Sequence, residues 1–92
     1  MEVNKEVSVL SIDAWRNADE GWYWNSWYKV GAVPLAVCDL TPRKLLRYMR
    51  DAGYLSKASA GRVSIDDDGY NVVICDKANR MPVFALAYGE AL

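Results

Sequence analysis

One stretch of the chain carries the start, the face and the end of a helix in its own residues: Leu40–Gly53, LTPRKLLRYMRDAG. Thr41 stands at the N-cap, where its hydroxyl can accept from a free amide of the first turn. Pro42 follows at the first helical position, where its fixed φ fits and its missing N–H costs nothing. Leu40 and Leu45 take the two positions of a hydrophobic staple, and Gly53 is the left-handed terminator. Leu45, Leu46, Met49 and Ala52 line one apolar face. This clear helix limits the fold, because the rest reads mostly as strand and one helix can cover only one face of a sheet.

The strands are read from alternation and punctuation. Val7 and Val9 alternate in one phase, Leu10 and Ile12 in the other, which predicts a bulge or a strand covered on both faces. Asn17–Gly21 is a turn cluster, and Trp22–Lys29 is the second strand of an antiparallel hairpin. Gly31 reads as a break, and Ala32–Cys38, with Pro34 inside it, as an edge strand or extended loop. Ser56–Gly61 is a small-residue loop or a short helical turn. Arg62–Asp66 and Gly69–Cys75 flank an Asp-Gly step, a hairpin signal. Asp76–Arg80 forms the next turn and Val83–Tyr88 the last strand. The expectation is one α+β domain over residues 1–92, in the order β-β-(β)-α-β-β-β. Four to five antiparallel strands carry one amphipathic helix, about 41–53, on one face.

The second strand holds WYWNSWY, Trp22 to Tyr28, five aromatic side chains in seven. Strict alternation would put Trp22, Trp24, Ser26 and Tyr28 on one face and Tyr23, Asn25 and Trp27 on the other. One face can then pack under the helix; the other needs a cover of its own. Each ring can bury about 150–250 Å², so two uncovered rings approach the roughly 300–600 Å² of the largest patch on a typical monomer. Trp22, Trp24, Trp27 and Tyr28 are the candidate anchors of a recognition surface. Packing of a small core by the same rings is the competing reading.

Arg43, Arg47 and Arg50 fall at i, i+4 and i+7 of the helix and form a basic stripe. Arg43 and Lys44 lie in the first turn and Asp51 in the last, all against the helix dipole. The stripe is read as a solvated face, as a surface for an acidic partner, or as a contact for nucleic-acid phosphate. A winged helix is rejected, since the first forty residues read as strand and leave no room for its other helices.

Several chemistries are set aside on residue content. The chain has no histidine, which removes the commonest general base and the triads built on it. Asp66, Asp67 and Asp68 before Gly69 lack the alternating oxygen donors and twelfth-position glutamate of a calcium loop. Nothing in the aspartate spacing selects a hydrolytic pair, and there is no glycine-rich phosphate loop. Cys38 and Cys75 sit in apolar runs and read as free thiols of a reducing cytosol. The longest apolar run, Val30–Cys38, is too short to span a bilayer, and the start lacks the pattern of a signal peptide. The net charge of −1 provides no global field for nucleic acid or membrane.

Ninety-two residues of ordinary composition, 52% apolar and 25% charged, then lead to one expectation. It is a cytoplasmic, non-enzymatic protein-binding module, with no metal or cofactor, that occupies the surface of another protein or pairs with itself as a homodimer. Arg43, Arg47 and Arg50 would orient it on an acidic patch. Small chains without motifs are common among phage and mobile-element accessory proteins that block host factors. A single-stranded nucleic-acid binder is the second expectation, and a sponge for a nucleotide-like small molecule the third.

Overall fold

In the computed structural model, which describes residues 5–17 and 21–91, the first two strands pair along almost their full length. β1 (Glu6–Asn17) and β2 (Gly21–Pro34) form an antiparallel hairpin. The turn expected at Asn17–Gly21 falls on residues 18–20, outside the described residues. β3 (Val63–Asp67), β4 (Val72–Asp76) and β5 (Pro82–Leu86) complete one antiparallel sheet in the order β2-β1-β5-β4-β3. The architecture is therefore α+β, with five strands and one substantial helix.

That helix, α1 (Pro42–Asp51), ends as its residues dictate. Gly53 adopts φ 90°, and its N–H donates to the Arg50 carbonyl (3.0 Å) while the Tyr54 N–H donates to Met49 (2.9 Å). This is a Schellman motif, with Tyr54 placed to pack back on the last turn. The start differs from expectation. The Thr41 hydroxyl makes no cap bond; Thr41 instead offers its carbonyl, which accepts the Leu45 N–H at 2.8 Å. A single further turn, α2 (Lys57–Ala60), follows, with the Ser56 hydroxyl accepting the Ser59 N–H at 3.0 Å.

Leu45 and Met49 project from α1 into the core and are essentially inaccessible, whereas Ala52, expected on the same face, is exposed. They meet Val7 and Val9 of β1, Val33 of β2, Val63 of β3, Val72 and Ile74 of β4, and Leu86 of β5. Leu55 and Val37 close the layer from the connections.

The piece between β2 and α1 corrects the sequence reading. Gly31 does not break the strand, because β2 runs on to Pro34. The separate strand expected over Ala32–Cys38 is instead the end of β2 and a 3-10 turn, Leu35–Asp39. Pro34 lacks an N–H for the ladder, and the turn lets Leu35, Val37 and Cys38 all reach the core. Gly31 has a packing role. A Cβ built on it would collide with the Tyr54 phenol, so the missing side chain is the space Tyr54 occupies.

The β3–β4 hairpin turns on Asp68–Asn71, with Gly69 at the first central position and φ 91°. Glycine is favoured there in type II′ turns. Asp68 accepts the N–H groups of Tyr70 (2.9 Å) and Asn71 (2.6 Å). Partial burial pushes the Asp68 carboxyl up, but these bonds outweigh it and hold the group below its usual range. The acidic cluster is thus occupied with turn chemistry.

Candidate functional site: the aromatic arm

β1 pairs with β5 only through Val9, Leu10 and Ser11. Beyond Ser11 the β1–β2 hairpin continues as a two-stranded ribbon. Twelve residues of β1 at about 3.3 Å each span about 40 Å, which accounts for a longest molecular axis of 49 Å against 27 Å for the next. The ribbon is an arm, and all four tryptophans (Trp15, Trp22, Trp24 and Trp27) lie on it.

Two irregularities set which way its rings face. Val9 pairs with Gly31 and Leu10 with Lys29, leaving Val30 as an extra residue; Asp13 pairs with Ser26 and Ala14 with Trp24, leaving Asn25 as another. Each extra residue shifts the alternation by one. The first coincides with the Val9/Leu10 phase switch, but its extra residue is on β2; β1 keeps its alternation, with Val7 and Val9 buried on one face and Leu10 and Ile12 half-buried on the other. The second corrects the face assignment made from strict alternation. Trp22, Trp24 and Trp27 pair with Arg16, Ala14 and Ile12 on one face; Tyr23, Ser26 and Tyr28 pair with Trp15, Asp13 and Ser11 on the other. The Asn25 amide donates to the Asp13 carboxylate at 3.2 Å, across the bulge.

The rings hold the ribbon as well as decorate it. Trp15 stacks on Tyr23 at 5.2 Å between centroids, and Trp24 meets Trp27 edge-on at 5.8 Å. The Arg16 guanidinium lies 5.9 Å from the centre of the Trp22 ring. The Trp22 indole N–H donates to the Asn79 carbonyl at 2.8 Å, tying the arm to the β4–β5 turn.

The expectation that one aromatic face packs under the helix is not met. Among the described residues, the core beneath α1 takes Val7, Val9 and Val33 from the hairpin's base and nothing from Trp22–Tyr28. The physical reason is length: a helix of ten residues spans about 15 Å and cannot cover the outer ribbon. Trp15 (48%), Tyr23 (37%), Trp27 (55%) and Tyr28 (63%) remain exposed, while Trp22 and Trp24 are half-buried. Half-exposed rings present on the order of 100 Å² each, so Trp15, Tyr23 and Tyr28 offer about 300 Å² on α1's side of the ribbon, the lower end of the scale of a functional patch, while Trp27 stands with the half-buried Trp22 and Trp24 on the other side.

The other predicted residues lie apart from the arm's tryptophan face. Arg43, Arg47 and Arg50 are exposed on the outer side of α1, and with Lys57 of α2 they line a shallow groove of about 420 Å³. Among the described residues, no aromatic one lines it. Trp22, Trp24 and Trp27 face the side of the sheet opposite α1, so they and the arginines do not form one continuous surface. Tyr28 shares α1's side. Sequence reasoning missed Trp15, which pairs across the strand with Tyr23, because its position depends on the register of the hairpin.

The thiols are poor nucleophiles. Burial pushes both the Cys38 and Cys75 thiols up, reinforced by Asp39 and Asp67 at Cys38 and by Asp66 at Cys75, where Arg80 opposes the shift. Both are free. Among the described residues no cluster of three metal-ligating side chains occurs, and no helix is long and apolar enough to cross a membrane. No family model, curated protein or solved structure matches the chain.

Proposed function

We propose that the chain is a non-enzymatic protein-binding module whose β1–β2 arm is the recognition element. The observation that carries this reading is the exposure of Trp15, Tyr23, Trp27 and Tyr28 on a ribbon clear of the core. Large rings with few rotatable bonds are the residues that anchor protein interfaces, and burying the roughly 400 Å² that they offer over the two faces of the ribbon is worth on the order of 10 kcal/mol before association costs. β2 is also an edge strand, so a partner can meet backbone groups and rings together. Such a module acts by occupying a surface, the mode of a phage-type accessory protein that blocks a host factor. The partner of first resort is a second copy of the chain. The absence of histidine and two thiols pushed away from the thiolate form support a non-catalytic role, and free thiols suit the cytoplasm.

Sedimentation equilibrium tests the reading. The wild type is expected to self-associate, and Trp27→Ala to weaken this about tenfold or more while leaving the circular dichroism spectrum intact. A folded Trp27→Ala protein with unchanged association would overturn it.

Single-stranded nucleic acid is the second reading. Trp15, Tyr23 and Tyr28 support it, since they lie on the same side of the sheet as the basic helix. Oligonucleotide binding that collapses between 50 and 200 mM salt would favour it over a protein interface, because counterion release governs phosphate contacts.

A further inference from the structure

The charge of the molecule is segregated. Residues 42–62 hold six of the eleven cations and one of the twelve acids, a net +5 set against −6 for the rest of the chain. Four of these six cations converge on the groove between α1 and α2. Arg43, Arg47 and Arg50 reach it from three successive turns of α1, and Lys57 faces them from α2. Among the described residues, Arg50 is paired with Asp51 (3.2 Å), and Arg43, Arg47 and Lys57 have no ion pair. No acid among the described residues lines the groove.

Like charges held around one hollow repel one another, and the helix dipole adds to the cost at Arg43. A multivalent anion in the groove relieves both. The lining supports this further. Leu46 forms a half-buried apolar wall that strengthens electrostatics locally, and Ala60 and Gly61 leave the far side unobstructed. Guanidinium groups suit tetrahedral oxyanions because their planar forks bind two oxygens at once.

We infer that the α1–α2 groove is a binding site for a terminal phosphate dianion, held by Arg43, Arg47, Arg50 and Lys57. The phosphoryl group can come as free inorganic phosphate or as the terminal group of a nucleotide. The site is independent of the arm, whose exposed rings do not line it.

Nitrogen–proton correlation spectra of the full chain provide the test. Sodium phosphate at pH 7, compared with sodium chloride at matched ionic strength, is expected to shift the Nε–H signals of Arg43, Arg47 and Arg50 and the Gly61 amide saturably. Arg47→Ala or Lys57→Ala should weaken phosphate binding about tenfold. Lys44→Ala, which removes a charge from α1 outside the groove, should change it less than about twofold. AMP binding tighter than phosphate assigns the site to a nucleotide, and equal binding assigns it to free phosphate. Absence of a saturable shift, or equal losses from Lys44→Ala and Arg47→Ala, would overturn the assignment. So would adenosine reproducing the AMP shifts. Trp27→Ala should leave the phosphate titration unchanged, so a failure of the arm and a failure of the groove read differently.

Discussion

β4 and the outer part of β2 are both strongly apolar, and they meet opposite fates. Val72, Val73, Ile74 and Cys75 of β4 are each 9% exposed or less, whereas Trp27 and Tyr28 of β2 stay 55% and 63% exposed. The aromatic strand has the larger rings and the lesser burial. The difference lies in neighbours. β4 runs between β3 and β5, with Leu45 and Met49 packed in the same core as Val72 and Ile74. β2 is an edge, and past Lys29 towards Gly21 its strand neighbour is β1 alone, since β1 has left β5 by Ser11. Burial follows from the layers laid against a strand rather than from its own hydrophobicity. A lone two-stranded ribbon is marginal in water, so the arm's cross-strand rings and the Trp22–Asn79 bond substitute for the missing layer.

The largest expected effect tests whether body and arm are separate. Leu45→Ala should cost about 2–5 kcal/mol of global stability, as truncation in a closed core does, while Trp27→Ala should cost under about 1 kcal/mol. All four indoles report on the arm, so fluorescence follows the arm and far-ultraviolet circular dichroism follows the whole chain. In denaturant the fluorescence transition should precede the dichroism transition in the wild type. Coincident transitions, with an equal cost at Trp27, would merge the arm into the core.

The boundary between the two regions gives the next effect. Gly31 sits in β2 beneath the Tyr54 ring, which packs edge-on against Phe84 with 6.4 Å between centroids. Gly31→Ala forces that ring aside and should cost about 1–3 kcal/mol, the scale of an overpacked site. Tyr54→Phe in the same background should recover part of the loss by removing the colliding hydroxyl. A neutral Gly31→Ala would mean that Tyr54 is not held, and the body would then end short of the arm's base.

What could be read in advance divides along the same line. The helix was legible because its signals are local: Pro42 and Gly53 act within one turn of where they stand. The place of the first bulge was legible in part, since the switch at Leu10 falls at the register shift, although β1 itself alternates through it and the extra residue is Val30 of β2. The Asn25 bulge was not. It falls inside a run without glycine or proline, and only the pairing of Asp13 with Ser26 and Ala14 with Trp24 reveals it. That single extra residue moves Trp27 to the face of Trp22 and Trp24, and Tyr28 away from it. Lys57 was invisible as a partner of the arginines for a similar reason, because the chain reverses between α1 and α2 before bringing it back. Leu35–Asp39 misled because an apolar run also serves a 3-10 turn when most of its side chains, here Leu35, Val37 and Cys38, can reach a core.

The smallest effect is confined to the body and reads out through pH. The Tyr88 hydroxyl donates to the Asp67 carboxylate at 2.6 Å, fastening the C-terminal 3-10 turn, Tyr88–Ala91, to the end of β3. Donation to the carboxylate stabilises the neutral phenol, and its pKa is pushed up to about 12. An unfolded tyrosine ionises near about 10. The folded state therefore holds this proton more tightly. Its contribution to stability is complete below about pH 10 and is lost as pH rises towards about 12. Tyr88→Phe should abolish that slope. The wild-type-minus-variant absorbance at 295 nm should titrate with a midpoint near about 12, and the arm's fluorescence should be the same in both proteins. A midpoint near about 10 would mean that the Tyr88–Asp67 bond does not persist in solution. A fluorescence difference would show that a bond on the far strand of the sheet governs the arm, joining the two regions that burial separates.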